Sequence, residues 1–347
     1  MAAESSASGL QYVFDDTPAP GSTLPIVPGV HWLRMPLPFA LAHINLWLLA
    51  DGRRFNIVDT GVHVEEARAV WHDTLAGPMQ GRAVDRVIVT HLHPDHAGNA
   101  GWLTRELQAE LWMTRSEYLL CRVLMADTGR PPPEAGLDFY RAAGFPESAL
   151  DKYQKMFGMF GRLMAPLPDA YRRLQDGDTF RIGDIDWEVV VGCGHSPEHA
   201  CLFSSTHKLL IAGDQVLPTI SSNVSVFPTE PAADPLGDWL ASIDKLRRRL
   251  PADVLVLPAH GRPFRGLHLR LDQLRHEHEQ GLEALEAWCS EPRRAVDVFP
   301  ALFRRDIKDS ELMMATGESL AHLNWLLARQ RLRVAADAAG VNWYRRA

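Results

Sequence analysis

The sequence of 347 residues has few cysteines and no long apolar run. Its four cysteines include no CxxC pair and are too sparse for a disulfide framework, so a reducing compartment is the simplest setting. No stretch approaches the roughly 18 apolar residues that a membrane-spanning helix needs. The first residues, MAAESSASGLQYVFDD, lack the basic and apolar regions of a signal peptide. These absences predict a cytoplasmic protein without a membrane anchor.

A basic excess is also missing. The chain has 36 Lys and Arg residues against 43 Asp and Glu residues, for a net charge of -7. Nucleic-acid-binding domains usually carry clustered positive charge, so this balance argues against nucleic acid as a partner and favours a small-molecule substrate. An anionic substrate group could still bind at a metal ion. The hydrophobic fraction of 46% is enough for a large core.

Strand and helix patterns alternate along most of the chain, which indicates an α/β fold. Short apolar runs bounded by Gly, Pro and Asp predict strands at 30–36, 44–50, 55–61, 85–91, 178–191, 200–214 and 252–261. Amphipathic spacing predicts helices at about 63–76 and 97–108. We therefore expect a main domain of residues 25–266, preceded by a flexible tail of residues 1–24.

Two regions depart from this alternation. Residues 115–173 combine helical spacing with many Met and Phe residues, which predicts a helical insertion that either packs as ordinary core or covers the site as a lid. Residues 267–347 predict a long helix at about 267–288, then a helix and two strands joined by a DAAG turn, as in a small winged-helix unit. Its 12 basic and 12 acidic residues balance, which favours packing or homodimer formation over nucleic-acid binding.

The segment VIVTHLHPDHAGN concentrates metal-binding side chains after an apolar run. His91, His93, Asp95 and His96 lie within six positions. Imidazole and carboxylate ligands together suit zinc, manganese or ferrous iron. In an extended loop His91 and His93 point the same way and can bind one ion, while the following turn directs Asp95 and His96 towards another. One loop can therefore contribute to two adjacent sites.

The remaining ligands must come from other parts of the chain. His195, Asp214 and His260 each follow an apolar strand pattern, so all three can converge on one edge of the sheets. Asp59, in IVDTG, holds an equivalent position. His199 is interpreted either as a support for a ligand or, preferably, as a buried core histidine.

The ordered motifs DTG, THLHPDH, GHSPEH, GD and PAHG resemble those of the metallo-β-lactamase-fold superfamily of metal-dependent hydrolases, over about residues 25–265. The resemblance implies a four-layer αββα sandwich with a dinuclear metal site at the sheet edge. It also implies which side chains bind each ion. The first is bound by His91, His93 and His195, the second by Asp95, His96 and His260, and Asp214 bridges them.

Two divalent ions, most simply Zn²⁺ with Mn²⁺ or Fe²⁺ as alternatives, can share a water molecule, lower its pKa and polarise a substrate oxygen. The catalytic candidates are Asp95, which can accept a hydrogen bond from the bridging hydroxide, and Asp59, which can accept one from the outer N–H of a ligand histidine. We therefore predict a dinuclear hydrolase that cleaves an ester, a thioester or a lactone.

Other functions stay open at this point. A phosphodiesterase or ribonuclease could use the same dinuclear site, although the acidic chain and the neutral C-terminal unit count against it. A mononuclear iron dioxygenase on the same fold would depend on iron. A catalytically silent binding protein should have lost ligands, whereas all seven are present. No basic glutathione-binding segment follows Asp214, where the sequence reads QVLPTISSNVSVFPTEP.

Overall fold

The computed structural model describes residues 9–38 and 41–347 and contains two seven-stranded sheets. Residues 1–8 of the expected tail lie outside the described residues. The first sheet, in spatial order, consists of β2 (Thr23–Val27), β3 (Val30–Pro36), β4 (His43–Asp51), β5 (Arg54–Val58), β6 (Val84–Ile88), β7 (Glu110–Thr114) and β8 (Arg172–Leu174). The second consists of β1 (Gln11–Tyr12), β14 (Phe264–Arg265), β13 (Leu255–Pro258), β12 (Leu209–Gly213), β11 (His199–Ser204), β10 (Ile185–Gly192) and β9 (Thr179–Ile182).

Helices cover the outer face of both sheets. Their bounds are α1 Glu65–Ala76, α2 Pro94–Ala97, α3 Ala100–Leu107, α4 Arg115–Ala126, α5 Glu134–Ala143, α6 Glu147–Met156, α7 Pro235–Arg249, α8 Leu267–Trp288, α9 Phe299–Leu302 and α10 Leu312–Ala328. Short 3-10 helices span Phe160–Leu163 and Ala295–Asp297, and a hairpin of β15 (Leu332–Ala336) and β16 (Asn342–Arg346) ends the chain. In the described part, no helix is long and apolar enough to cross a membrane.

The apolar side chains separate into layers that explain this arrangement. Between the sheets lies a core that includes Trp32, Trp47 and Trp187. A second core joins the first sheet to α1, α3 and α4, and a third joins the second sheet to α7, α8 and α10. The predicted αββα sandwich is confirmed.

Parallel strand pairs place several strand ends at one edge. β5, β6, β7 and β8 run parallel, as do β12 and β13, because helices return the chain across the outer face. At that edge the two sheets are joined by hydrogen bonds from Ala200 N–H to Thr90 O at 2.8 Å and from Asn45 N–H to Ala259 O at 2.7 Å. The loops that follow β5, β6, β10, β12 and β13 therefore meet.

The insertion is helical, as predicted. It forms α4, α5 and α6, and β8 lies at its end. Its Met and Phe side chains divide between core and surface. Phe160 and Met164 pack in the core of the first sheet, whereas Met156 and Met159 are 47% and 37% exposed. Core packing therefore accounts for Phe160 and Met164, and no lid role is needed for them.

The described residues from Gly9 onward and the C-terminal helices are more integrated than the sequence indicated. β1 pairs with β14 and Leu10 is fully buried, so the expectation of a flexible tail over residues 1–24 does not hold for this part. At the other end, Leu271 and Leu320 share one core with Trp239 of α7. The boundary after residue 266 therefore does not delimit an independent core, because α8 and α10 form the outer layer of the second sheet.

Candidate metal centre

All seven candidate ligands lie at one edge of the sandwich, in loops, turns or the short helix α2. The HLHPDH loop follows β6 and includes the short helix α2. His195 follows β10, Asp214 follows β12 and His260 follows β13. β12 and β13 are buried at every residue and β10 is buried on its core-facing side, so these strands hold the loops at fixed positions. The structure thus brings together side chains that are up to 169 positions apart, from His91 to His260.

Three imidazole nitrogens form a tight triangle. His91 Nε2 lies 2.9 Å from His93 Nδ1, which lies 3.1 Å from His195 Nε2, and the two Nε2 atoms of His91 and His195 are 3.2 Å apart. A tetrahedral zinc ion with Zn–N bonds of about 2.0–2.1 Å would hold its nitrogens roughly 3.3 Å apart. The triangle therefore fits one ion.

A second group forms beside the first. His260 Nε2 lies 3.3 Å from Asp95 Oδ2, and His96 Nε2 lies 3.7 Å from the same oxygen. Asp214 connects the two groups. Its Oδ2 is 3.4 Å from His195 Nε2, and its Oδ1 is 3.5 Å from both His96 Nε2 and His260 Nε2. Each group of three side chains therefore faces a different oxygen of one carboxylate.

The hydrogen bonding of these atoms is the test of whether a cation fits. His96 Nε2, His260 Nε2 and Asp214 Oδ1 are buried and have no hydrogen-bond partner. An unpaired buried polar atom costs about 1–3 kcal/mol, so three such atoms directed at one point would destabilise a cluster that binds nothing. Divalent metal ions satisfy this donor set, because imidazole nitrogens and carboxylate oxygens are their common ligands.

Two of the candidate ligands, His91 and His93, have protonation states that suit metal binding. Burial, reinforced by the neighbouring imidazoles, lowers the pKa of His91 well below its ordinary value. Burial and the nearby His195 lower the pKa of His93 to about 3. Both rings are therefore neutral near pH 7 and keep the lone pair that a metal ion requires.

The outer nitrogens of three histidines are fixed by acceptors. Nδ1 of His195 donates to the backbone oxygen of Asn223 at 2.7 Å, and Nδ1 of His260 donates to the backbone oxygen of His43 at 2.9 Å. Nδ1 of His96 donates to Asp59 Oδ2 at 2.8 Å. Each bond places a proton on Nδ1, so Nε2 is the nitrogen of each ring that faces a bound metal ion.

Asp59 is positioned by an uncommon backbone conformation. Its φ is +61°, in the left-handed region that aspartate tolerates better than most residues. The carboxylate accepts hydrogen bonds from the Thr90 N–H at 2.8 Å and from the Thr90 hydroxyl at 2.8 Å, in addition to the bond from His96. Asp59 is thus hydrogen-bonded to His96, one of the candidate ligands.

His199 supports a candidate ligand, which was the less favoured of its two interpretations from the sequence. The ring is fully buried and stacks on His91 at a centroid distance of 4.7 Å. Its Nε2 accepts a hydrogen bond from the Asp214 N–H at 3.0 Å. The ring needs space at Gly213, where a Cβ atom would lie 2.5 Å from it. His199 therefore holds the backbone of Asp214 rather than simply filling the core.

Glu117 belongs to the site although the sequence did not indicate it. This fully buried residue of α4 accepts hydrogen bonds from the Leu92 N–H at 2.9 Å and from the Glu198 N–H at 2.7 Å. Leu92 lies between His91 and His93, and Glu198 lies three residues after His195. One carboxylate thus joins the two loops that form the imidazole triangle.

The sequence does not mark Glu117 as a site residue because Glu117 belongs to no motif. It lies in SEYLLCRVLMA, a helical pattern with one acidic residue near its N-terminus, which is ordinary for a helix. Only the structure shows that the contact with the HSPEH motif is reciprocal. Glu198 Oε2 accepts a hydrogen bond from the Ser116 N–H at 2.6 Å, and its backbone oxygen accepts one from the Thr114 hydroxyl at 2.7 Å.

Similarity to known proteins identifies the family of this chain. A family model described as the metallo-beta-lactamase superfamily matches residues 41–260. The chain belongs to this superfamily. A second model, described as a metallo-beta-lactamase-like C-terminal domain, matches residues 282–347. The helix and hairpin expected there are present, but the description as a winged helix is not confirmed.

Individual superfamily relatives are distant in sequence. The probable metallo-hydrolase YqjP of Bacillus subtilis is 25% identical over 314 residues, which cover 86% of this chain and 92% of the relative. Acyl-coenzyme A thioesterase MBLAC2 of Homo sapiens is 24% identical over 246 residues, or 68% of this chain and 79% of the relative. Atrochrysone carboxyl ACP thioesterase of Aspergillus fumigatus is 24% identical over 260 residues, or 74% of this chain and 47% of the relative.

One solved structure is much more similar. The crystal structure of a beta-lactamase domain protein from Burkholderia ambifaria has a TM-score of 0.90 and 42% identity, and the match covers 97% of this chain and 98% of that chain. The similarity therefore includes the C-terminal helices as well as the sandwich. Together with the His and Asp cluster, superfamily membership makes this chain a metallo-hydrolase.

Proposed function

We propose that this chain is a thioesterase with two divalent metal ions, which hydrolyses the thioester of an acyl group. The observation that carries the dinuclear assignment is the position of Asp214, whose two carboxylate oxygens face two different groups of three ligands. A single tetrahedral ion needs four ligands, whereas seven side chains converge here.

The relatives support a thioester among the ester, thioester and lactone substrates. Two of them are named thioesterases, one for acyl-coenzyme A and one for an acyl carrier protein substrate. Both named substrates are thioesters.

The residues of the site have three roles: binding the ions, orienting the attacking water and supporting the ligands. His91, His93 and His195 would hold one ion, and Asp95, His96 and His260 the other, with Asp214 between them. When bound, the ions would lower the pKa of water and polarise the substrate carbonyl. Asp95 offers a second oxygen that can orient the attacking water. Asp59 fixes the ring of His96, and Glu117 fixes the spacing between the HLHPDH loop and the His195 loop.

The donor set favours zinc. One group consists of three imidazoles and a shared carboxylate oxygen, which are standard zinc ligands, and it contains no thiolate. Manganese and ferrous iron are the alternatives with the same ligand preferences. The complete second group of Asp95, His96 and His260 argues against a mononuclear iron dioxygenase. Nothing in the site geometry favours phosphodiester cleavage.

The proposed setting is a reducing compartment such as the cytoplasm. All four cysteines are free. Burial raises the pKa of Cys193, the one nearest to the candidate ligands in sequence, to about 11, so its thiol stays protonated near pH 7. The Cys193 thiol is therefore a poor metal ligand near pH 7.

The test combines metal analysis with a substrate panel. Protein purified without chelator should contain close to two transition-metal ions per chain and should cleave acyl thioesters faster than matched oxyesters, lactones or phosphodiesters. Asp214→Asn should lose metal and most activity. His207→Ala is the matched control because His207 lies in the turn between β11 and β12, at the opposite end of those strands. One ion per active chain would contradict the dinuclear site, and a preference for phosphodiesters would contradict the substrate class.

A further inference from the structure

The loop of residues 215–226 connects the metal centre with the C-terminal helices. It begins directly after Asp214 and contains no helix or strand. The Ser222 hydroxyl donates to the backbone oxygen of Asp214, and the backbone oxygen of Asn223 accepts the bond from His195 Nδ1 at 2.7 Å. The position of this loop therefore sets the position of two candidate ligands.

Helix α8 holds the first half of the loop through Arg270. This side chain is almost fully buried, and it donates from Nε to the backbone oxygen of Leu217 at 2.7 Å and from Nη2 to that of Ile220 at 3.0 Å. Its Nη1 pairs with Glu277 at 3.1 Å. A buried guanidinium is tolerated only when it is paired and hydrogen-bonded, so these bonds fix the path of the loop.

A chain of buried histidines continues this contact. Ser221 Oγ lies 3.0 Å from His278 Nε2, His278 Nδ1 lies 3.3 Å from His322 Nε2, and His322 Nδ1 lies 2.8 Å from the backbone oxygen of Glu318. Burial lowers the pKa of His278 to about 3 and that of His322 to about 4, so both rings are neutral. The backbone oxygen of Glu318 can only accept, so His322 donates to it from Nδ1 and accepts at Nε2. His278 then donates to His322 from Nδ1 and accepts at Nε2 from the Ser221 hydroxyl.

Helix α10 holds the second half of the loop. Asn223 Nδ2 donates to Glu318 Oε2 at 2.8 Å, and Val226 N–H donates to Gly317 O at 3.0 Å. The approach is close, since a Cβ atom at Gly317 would lie 2.8 Å from the Ser225 side chain. The side chain of Asn223 is thus held by α10 while its backbone oxygen orients His195.

We infer that Glu318 is a positioning residue for the metal centre, which acts on His195 through Asn223, and that α8 and α10 complete the centre rather than form a separable binding module. The inference rests on the proposed metal-dependent function. Its basis is an unbroken set of hydrogen bonds from α10 through the 215–226 loop to a ligand ring. Apolar packing alone would hold the helices on the sheet without any of these polar contacts.

The experiment compares Glu318→Ala with Glu318→Gln in the full-length protein. Alanine removes the acceptor for Asn223, whereas glutamine keeps an acceptor oxygen at the same place. Measurements are made at about pH 8, because burial raises the pKa of Glu318 to about 7. The readouts are cobalt(II) affinity by chelator competition, the visible absorption spectrum of the cobalt(II) protein, and thermal unfolding of the metal-free protein.

A matched control lies on the same helix. Asn324 donates to the backbone oxygens of Pro231 and Ala233 at 3.1 and 2.9 Å, and it does not contact the 215–226 loop in the described structure. Asn324→Ala therefore removes a comparable helix-to-loop contact that leads away from the ligands. It should lower the unfolding temperature of the metal-free protein and leave the cobalt affinity and spectrum unchanged.

We expect Glu318→Ala to weaken cobalt affinity by about 10-fold, the lower end of the range for a direct hydrogen-bond partner of a ligand, because Glu318 acts through Asn223, and to change the spectrum. Glu318→Gln should stay close to wild type. Asn223→Ala, which keeps the backbone oxygen, provides the same comparison if Glu318→Ala does not fold, and it should reproduce the loss of affinity. The inference would be overturned if Glu318→Ala and Asn223→Ala kept the wild-type cobalt affinity and spectrum, or if Asn324→Ala lost as much affinity as they do. Either result would leave the proposed function standing. A wild-type protein that binds no cobalt would overturn the proposed function as well.

Discussion

Replacing Glu117 should show how much of the site depends on one buried carboxylate. Its two oxygens accept hydrogen bonds from the backbone of Leu92 and Glu198, at 2.9 and 2.7 Å. Glu117→Ala leaves both N–H groups without an acceptor. Because each unsatisfied buried donor costs about 1–3 kcal/mol, we expect the free energy of unfolding to fall by about 2–6 kcal/mol.

Glu117→Gln should cost less. The amide oxygen replaces one acceptor, while the amide NH₂ faces the other N–H, so about one hydrogen bond is lost at roughly 1–3 kcal/mol. Burial raises the pKa of Glu117, which shows that the charged carboxylate is itself destabilised by its surroundings. Removing that charge offsets part of the loss in both variants, so the order depends on the hydrogen bond that glutamine keeps. The expected order of stability is therefore wild type, then Gln, then Ala.

The assay is urea unfolding of the metal-free proteins, followed by chelator competition for metal affinity. Glu110→Gln is a suitable control because Glu110 is an exposed residue of the adjoining strand β7, and exposed substitutions usually change stability by less than about 0.5 kcal/mol. If Glu117→Ala matched the control in both stability and metal affinity, Glu117 would not connect the two loops in the way described.

Three further outcomes follow from the same geometry. Asp59→Asn should weaken metal binding by about 10–100-fold, because the amide group cannot match the carboxylate that accepts from His96 Nδ1; isothermal titration of the metal-free protein measures this, and unchanged affinity would refute it. Zinc at 100 times its dissociation constant should raise the free energy of unfolding by about 2.7 kcal/mol per site, measured by urea unfolding with and without chelator, and no increase would contradict a built metal site. His199→Phe should lower metal affinity more than His207→Ala does, since only His199 accepts from the Asp214 N–H; equal effects would return His199 to a packing role.

Much of the fold could be predicted from the sequence. The strand at 30–36 and the helix at 267–288 have the predicted bounds in the structure. Both signals are local, since buried strands and amphipathic helices impose a periodicity on neighbouring residues. Short edge strands were missed. β1 and β8 have two and three residues, too few for a pattern, and only their pairing partners define them.

The candidate site divides in the same way. His91, His93, Asp95 and His96 could be found because a metal-binding loop needs several ligands at close spacing. Glu117, Asn223 and Glu318 could not, because a glutamate on a helix and an asparagine in a loop are common and carry no spacing signal. Their importance depends on contacts with residues far away in the chain. The sequence by itself determined the ligand types and the layered α/β architecture, since those follow from local chemistry and periodicity. Only the tertiary structure decided which distant side chains hold the ligands in place, because hydrogen-bond partners are selected by proximity in space and not along the chain.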